Sequence, residues 1–351
     1  MIRRLAAVAA ALTVVLIVAG GVVTNTDSGL ACPDWPTCFG SVAPKMAGNV
    51  AVEHTHRLIA SAVGLFTVAL VVLTLRRARQ GMLAAGLAGF SVLILGASFW
   101  AGYVKHHTCA LPAAGVALVA LGFAGFAWGI GRARETDGKL AAAALGIVMF
   151  QGLLGGLTVL YRLPTLVLVM HLGTSMLFLS LTLVLALRLN GTSQLAMAPH
   201  GLLWLTAAAV YLQIILGATV RHTGAGLVCV DLPYCRGALW PTGVHPMVHL
   251  HMAHRAFAFI VLALVAASSW RIARASTGAV RMLAVAAPVL VLLQIVLGIL
   301  TILTFKDLVP LTAHLLVGAV LLSCEVSLLA LPSAAETAPS LSPSFPAGRL
   351  A

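Results

Sequence analysis

The stretch "GGVVTNTDSGLACPDWPTCFG", residues 20–40, returns almost two hundred positions later as "GATVRHTGAGLVCVDLPYCRG", residues 217–237. The two stretches share Gly, Val, Thr, Gly, Leu, Cys, Asp, Pro, Cys and Gly at equal spacing. Chance does not produce so long a match in one chain. The repeat therefore predicts that the protein is built from two copies of one structural unit.

Two further blocks extend the repeat, and they do so at different offsets. "EHTHRLIA", which begins at residue 53, matches "HMAHRAFA" at an offset of 198, whereas "QGLLGGLTVL", which begins at residue 151, matches "QIVLGILTIL" at an offset of 143. The offsets differ by 55 residues, which is about two membrane-spanning helices and a turn. We therefore predict a helical hairpin at residues 82–132, inserted into the first copy.

The composition identifies the environment of both copies. Hydrophobic residues make up 61% of the chain and charged residues only 9%, so the protein is far more apolar than a soluble domain. Its apolar runs lack the alternation of a β-barrel, and each is about 20 residues long, enough for one helix to cross a bilayer. The ten runs are 5–24, 54–75, 82–104, 110–131, 140–161, 165–188, 201–220, 249–270, 282–304 and 309–332.

These observations predict an all-α integral membrane protein of about ten helices. Residues 1–190 would form a first four-helix bundle that carries the inserted hairpin, and residues 198–333 a second. The Pro- and Ser-rich segment 334–351 is predicted to be a disordered cytoplasmic tail.

The charge distribution predicts the orientation in the cell membrane. The net charge is +12, but thirteen of the 21 basic residues fall on one side if the N-terminus is cytoplasmic. This imbalance follows the positive-inside rule, so it places both termini inside and the cysteine-containing loops outside. The charge therefore indicates orientation among membrane lipids, not a nucleic-acid partner. The basic, apolar N-terminus also resembles a cleaved signal peptide. Its repeat partner at 201–220 lies in mid-chain and cannot be cleaved off, so we predict a membrane helix at the N-terminus instead.

Four histidines occupy matched positions, His56 and His171 in the first copy and His254 and His314 in the second. Each is expected within about 10 Å of the outer end of its helix, where ionisable side chains are costly and usually functional. Two imidazoles on facing helices can supply both axial ligands of a haem iron. We therefore predict one bis-histidine haem in each half; a copper site, or simple hydrogen bonding between helices, is the alternative.

One acidic residue breaks the symmetry between the copies. Glu53 precedes His56 by three residues on the same helical face, and His251 takes its place in the second copy. A carboxylate there can move protons or stabilise positive charge, although a salt bridge with Arg57 would also account for it. Arg57 and Arg255 follow the helix histidines directly, so they are candidates to bind haem propionates or to snorkel toward lipid headgroups.

The loop cysteines form two pairs at equal spacing, Cys32 with Cys38 and Cys229 with Cys235. Because the outer face of a bacterial-type membrane is oxidising, we predict two structural disulfides rather than metal sites. A redox-active role remains open, above all for the first pair, which lies near Glu53.

These residues together resemble the haem A synthase family, integral-membrane enzymes that convert haem O to haem A. The motifs that carry the resemblance are "DSGLACPDWPTCFG", the "EHTHR" that opens the second helix, and His171, His254 and His314. The resemblance implies that His56 and His171 bind the substrate haem O, that His254 and His314 bind a haem b cofactor, and that Glu53 is the essential carboxylate. It also implies the two disulfides. Family members usually have eight spans, so the inserted hairpin is a departure.

The reaction implied by the resemblance is oxidation of the C8 methyl group of haem O to a formyl group by two oxygen-dependent hydroxylations. Its partners would be molecular oxygen, an unidentified electron donor and a haem O synthase that delivers the substrate, and a homo-oligomer is left open. Two other classes use the same histidines. A b-type cytochrome would only transfer electrons, and a duplicated transporter would relay protons.

Overall fold

A computed structural model describes residues 1–108, 112–191 and 201–331. Within these ranges the chain forms ten α-helices, a 3-10 turn at Ala225–Leu227 and no strand. All ten helices are long and apolar enough to cross a membrane, which confirms the predicted fold class; the predicted tail lies outside the described ranges. The helices are α1 (Ile2–Asn25), α2 (Gly48–Arg77), α3 (Gly81–Thr108), α4 (Ala113–Arg132), α5 (Thr136–Leu160), α6 (Thr165–Leu189), α7 (Gly201–His222), α8 (Pro246–Ala275), α9 (Gly278–Leu303) and α10 (Leu308–Ala330).

Helices α2 and α8 are each 30 residues long and begin earlier than their apolar runs indicated. Helix α2 begins at Gly48 instead of residue 54, and α8 at Pro246 instead of residue 249. Hydropathy detects only the part of a helix that lies in hydrocarbon, whereas the backbone hydrogen bonds continue into the polar boundary. Glu53 therefore lies more than a turn inside α2, on the helix where its spacing from His56 placed it.

The helices pack as two four-membered rings. In the first, α1 contacts α2, α2 contacts α5, α5 contacts α6, and α6 closes the ring on α1. In the second, α7, α8, α9 and α10 follow one another in the same way. The rings meet through α1 and α6 on one side and α7 and α10 on the other. As a result α2 and α6 lie diagonally across the first ring, and α8 and α10 across the second.

Helices α3 and α4 pack on each other and on α2 and α5, outside the first ring. Glycines on α4 let the pair approach closely, since a Cβ built on Gly122 would collide with Ile94 and one on Gly129 would lie 2.6 Å from Leu87. This packing supports the interpretation of residues 82–132 as an inserted hairpin. The exact limits of the two predicted halves remain a prediction.

The cysteine loops join α1 to α2 and α7 to α8, and they lie at the same end of the molecule, here called the loop end. Cys32 and Cys38 are joined by a disulfide with an S–S distance of 2.01 Å, and Cys229 and Cys235 by one of 2.02 Å. Each loop also has one β-bridge, formed by the second cysteine and the residue three positions later. The predicted pairing of the four cysteines is confirmed.

Candidate functional site

The four matched histidines lie on the diagonal helices of the two rings. His56 on α2 and His171 on α6 belong to the first ring, and His254 on α8 and His314 on α10 to the second. Because diagonal helices face each other across a bundle, each pair can direct its imidazoles into one shared interior. The structure thus places the two members of each matched pair on opposite helices of one ring; their role as haem ligands stays a prediction.

A glycine on a neighbouring helix faces each of these imidazoles. A Cβ built on Gly20 would lie 3.0 Å from Cε1 of His56, and one on Gly217 2.9 Å from Cε1 of His254. Contacts closer than about 3.4 Å are unfavourable for a real side chain. Gly155 faces His171 and Gly298 faces His314 in the same way, at 3.6 and 3.2 Å. Each of the four glycines therefore lies beside one histidine ring.

The ring nitrogens of these histidines have unused capacity. The Nδ1 atoms of His56, His171, His254 and His314 are all buried and make no hydrogen bond within the described ranges. The Nδ1 atoms of His54, His249 and His251 share this property, so it does not by itself distinguish the four matched histidines. The donors in each pocket are imidazoles on opposite helices, a donor set that fits a planar haem with two axial ligands. The residues present therefore fit the predicted haem.

Glutamines fix the backbone of three of the four histidines. Nε2 of Gln151 on α5 donates to the carbonyl oxygen of His171 at 2.9 Å, and Nε2 of Gln294 on α9 donates to that of His314 at 2.7 Å. Gln151 and Gln294 are matched in the repeat, and each of them bonds one helix to the next. Gln213 on α7 adds a third, to the carbonyl oxygen of His254 at 3.0 Å. The glutamines thus hold the helix positions from which the imidazoles project.

Glu53 is buried beside the first pair, with a relative exposure of only 3%. Its Oε2 accepts a hydrogen bond from the backbone N–H of Cys32 at 2.8 Å, and its Oε1 pairs with the Arg57 guanidinium at 2.5 Å. In the second copy the same position holds His251, whose Nε2 accepts a hydrogen bond from Nε of Arg255 at 3.2 Å. The carboxylate at the loop end of the first ring is therefore replaced in the second by a neutral imidazole, since a histidine nitrogen that accepts a hydrogen bond carries no proton.

The two arginines hold the cysteine loops against the helices. Arg57 donates to the carbonyl oxygens of Asp34 and Thr37 at 2.9 and 2.6 Å. Arg255 repeats this pattern with Asp231 and Tyr234, at 3.0 and 3.1 Å. Neither guanidinium is left to snorkel into lipid headgroups. Their contact with haem propionates stays a prediction, and a propionate would have to share Arg57 with the loop and with Glu53.

Asp34 organises the interior of the first loop. Its carboxylate accepts hydrogen bonds from the backbone N–H groups of Phe39 at 2.6 Å and Gly40 at 2.9 Å, and from the Thr37 hydroxyl. Burial raises the pKa of Asp34, but these hydrogen bonds outweigh it and the pKa lies below its ordinary value of 3.8. The carboxylate therefore stabilises the loop in its ionised form.

His54 is a feature that the sequence left undecided. It is buried, and one of its ring nitrogens lies within 4.8 Å of the sulfur atoms of Cys32 and Cys38. Because the two sulfurs are bonded to each other, this cluster is a disulfide with an imidazole beside it and not a metal site in this state. The second copy places Met252 against its own disulfide. The repeat alignment contains this difference, but sequence alone does not show which side of α2 faces the loop.

Sequence reasoning did not identify the glycines that face the histidines, although the repeat contains all four of them. Gly20 and Gly217 open the two long copies of the repeat, and Gly155 and Gly298 recur within the second matched block. Glycine is frequent in membrane helices for many packing reasons, so repetition alone does not distinguish a pocket from a helix contact. Only the three-dimensional structure shows that these glycines face imidazoles.

Comparison with known proteins identifies the family of the chain. The model of the family described as cytochrome oxidase assembly protein matches residues 3–50 and 97–326. The chain is 29% identical to a protein named "Heme A synthase" from Halalkalibacterium halodurans, over 88% of this chain and 89% of the relative. It is 28% identical to one of the same name from Symbiobacterium thermophilum, over 76% and 75%.

The family match omits residues 51–96, which include most of α2, whereas the internal repeat places the insert at 82–132. The geometry favours the repeat, because α2 carries His56 opposite Gly20 just as α8 carries His254 opposite Gly217. The matched residues cover far more than half of the chain. The chain therefore belongs to the haem A synthase family of cytochrome oxidase assembly proteins.

Proposed function

We propose that this protein is a haem A synthase, which oxidises the C8 methyl group of haem O to a formyl group by successive oxygen-dependent hydroxylations. The observation that carries the proposal is an asymmetry within a symmetric site. Both rings have a matched histidine pair with facing glycines, but only the first has a buried carboxylate, Glu53, beside its histidine. The chemistry is therefore assigned to the first ring and electron delivery to the second.

The proposed ligand assignment follows from this division. His56 and His171 would bind the iron of the substrate haem O, and His254 and His314 that of a resident haem b. When bound, haem b supplies one-electron redox chemistry near the substrate. Gln151, Gln213 and Gln294 hold the backbone of the helices that carry His171, His254 and His314. Glycines limit the space beside the imidazole rings.

The role proposed for Glu53 depends on its partners. The Cys32 N–H and the Arg57 guanidinium both interact favourably with the charged form of the carboxylate. A carboxylate held in this way can stabilise positive charge that develops at the substrate methyl carbon, or accept a proton released there. The disulfide-closed loop above it limits the access of water to the reacting group.

The same proposal includes the setting of the enzyme. The cysteine loops would lie on the outer face of the cell membrane and both termini in the cytoplasm, with lipid around the bundles. Molecular oxygen and an electron donor are required by the stoichiometry of the hydroxylations. Haem O would be supplied by a haem O synthase, and a homo-oligomer is compatible with the exposed apolar helix faces that remain.

A b-type cytochrome that only transfers electrons is the second candidate. The close match of the histidine and glycine positions in both rings is compatible with it, since two similar bis-histidine haems can pass electrons between them. Electron transfer does not require Glu53, and burial of a carboxylate is energetically unfavourable. A proton-coupled transporter would bind no haem at all.

Pigment analysis separates these functions. The protein is produced together with a haem O source, purified, and its haems are extracted and identified by chromatography and mass. A synthase yields haem O or haem A in addition to haem b, and haem A accumulates only when oxygen is present. Haem b alone would favour the cytochrome, and a preparation without a Soret band the transporter.

A further inference from the structure

The inserted hairpin has no task in the proposed reaction, but at the loop end it touches the first cysteine loop. The contact is made by Trp35 of the loop and Gly102 of α3. A Cβ built on Gly102 would lie 2.8 Å from the backbone carbonyl oxygen of Trp35 and 3.4 Å from Cε3 of its ring. Only a glycine leaves room for this approach of loop backbone to helix.

The other side of Trp35 lies against α5. A Cβ built on Gly156 would lie 2.8 to 3.0 Å from Cδ2, Cε3 and Cε2 of the indole. Gly156 follows Gly155, the glycine that faces His171. Trp35 is thus seated between the inserted hairpin and the helix that lines the first histidine pair.

The second copy lacks this arrangement. The position of Trp35 is taken by Leu232 and that of Gly156 by Ile299, which is 38% exposed. No hairpin packs outside the second ring, because α8 and α9 follow each other directly. The seat therefore exists only on the half that carries Glu53.

The loop connects this seat to Glu53. Three residues before Trp35, the N–H of Cys32 donates to the Glu53 carboxylate, and the carbonyl oxygen next to Trp35, that of Asp34, accepts from Arg57. A displacement of the loop at Trp35 would change both partners of the carboxylate. Catalytic groups tolerate little displacement, since about 1 Å can cost roughly a hundredfold in rate.

We propose that the inserted hairpin braces the first cysteine loop through the contact between Gly102 and Trp35, and that it thereby positions the Glu53 carboxylate. Trp35 is a positioning residue in this arrangement and does not itself touch the reacting group. The bracing of the loop is independent of the proposed function, whereas the positioning of Glu53 for oxidation of haem O rests on it.

The test compares Gly102→Ala with Gly96→Ala. Both substitutions add one methyl group to α3, but a Cβ at Gly96 meets nothing within 4 Å. The first measurement is the rate at which a water-soluble phosphine reduces Cys32–Cys38 in the full-length protein, with Cys229–Cys235 as internal standard. Gly102→Ala should accelerate reduction of the first bridge about five- to thirtyfold, since overpacking against backbone favours local opening. Gly96→Ala should change neither bridge.

The second measurement is haem A formation together with the electron paramagnetic resonance of each haem. Gly102→Ala should lower the rate at least about tenfold while the signal of the second-ring haem stays that of the wild type, which a general loss of stability would not produce. If Gly102→Ala does not fold, Trp35→Leu, which introduces the residue of the second copy, replaces it with the same expectations.

The outcomes separate the two claims. Equal reduction rates for Gly102→Ala and Gly96→Ala would overturn the bracing. Faster reduction with an unchanged rate of haem A formation would overturn the positioning of Glu53. If the wild type makes no haem A but Gly102→Ala still exposes the first bridge, the bracing stands and the proposed function is what fails.

Discussion

Glu53 and Arg57 form a pair in which each residue has a second partner in the cysteine loop. The carboxylate is 3% exposed, and its ion pair with Arg57 spans one turn of α2. Burying such a pair is unfavourable unless further hydrogen bonds satisfy both groups, and removal of one partner leaves an uncompensated charge. Here the N–H of Cys32 and the carbonyl oxygens of the loop supply those bonds. The pair therefore connects the loop to the helix that carries His56.

Replacement of Glu53 by Gln tests the charge at this position. The amide retains an oxygen that can accept from the Cys32 N–H, but it cannot hold negative charge beside the substrate. We expect haem A formation to fall at least about a hundredfold, the usual contribution of a general acid or base, while both haems still bind. The measurement is the rate of haem A production with haem content determined in parallel.

The second copy provides the control for this variant. His251 occupies the position equivalent to Glu53, next to the histidine pair of the second ring. His251→Gln therefore changes the equivalent position without removing a carboxylate. It should retain most of the activity. A normal rate for Glu53→Gln would remove Glu53 from the chemistry and leave it a structural partner of Arg57.

At the scale of the elements, the two cysteine loops have similar sequences, but their aspartates differ in burial and in hydrogen bonding. Asp34 is 8% exposed and accepts three hydrogen bonds within its loop. Its counterpart Asp231 is exposed and accepts from the Gly237 N–H at a longer 3.4 Å. The first loop should therefore depend more strongly on its aspartate than the second.

Acid should release the first loop in a way that depends on Asp34. Because the pKa of Asp34 is lowered in the folded protein, its contribution is fully present above the ordinary value of 3.8 and is lost as the pH falls through the lowered pKa. At neutral pH, Asp34→Asn should accelerate phosphine reduction of Cys32–Cys38 relative to the wild type. The difference in reduction rate between the two proteins should begin to shrink as the pH falls below 3.8 and should vanish below the lowered pKa of Asp34.

Asp231→Asn is the matched control in the second loop, where the effect on Cys229–Cys235 should be smaller. A difference between wild type and Asp34→Asn that persists unchanged at the lowest pH would show that the carboxylate charge does not hold the loop.

The elements themselves were largely predictable, since ten apolar runs gave ten helices. Hydropathy misplaced the start of α2 by six residues, because polar residues such as Glu53 continue the helix beyond the hydrocarbon. The histidine pairs and disulfides followed from the repeat, which preserves spacing. The arginine contacts with loop carbonyls, the glycines facing imidazoles and the seat of Trp35 depend on tertiary packing, and one sequence contains no direct signal for such contacts.

At the scale of the whole molecule, the two rings are joined at the loop end by hydrogen bonds between the copies. Asn25 donates to Thr312 at 3.1 Å, and Arg221 donates to the carbonyl oxygen of Thr24 at 3.3 Å. The two histidine sites are separate, since the histidines of each pair lie on helices of one ring and the glycines that face them belong to the same ring. A defect in one pocket should therefore leave the other one intact.

Gly20→Ala and Gly217→Ala test this independence. Each added methyl group would lie 3.0 or 2.9 Å from a histidine ring carbon, an overpacking that costs about 1–3 kcal/mol and lowers affinity roughly five- to a hundredfold. Gly20→Ala should weaken haem binding in the first ring and Gly217→Ala in the second, as measured by haem titration and the spectrum of each site.

Gly64→Ala on α2 is the control, because a Cβ at Gly64 meets nothing within 4 Å. The same loss of both haems in Gly20→Ala and in Gly217→Ala would contradict separate pockets and indicate one cooperative unit.

The contacts between the two rings carry a consequence for the history of the protein. Helix α1 packs on α10 and α6 on α7, while α6 and α10 pack on each other. Because α7 corresponds to α1 and α10 to α6, this is the pattern of an isologous dimer with a two-fold axis through the α6 and α10 contact. Fusion of the two subunits of such a homodimer into one chain would produce this arrangement. The Glu53 carboxylate and the pair of helices α3 and α4 have no counterpart among the described residues of the second ring, so the two rings share an arrangement but differ in components.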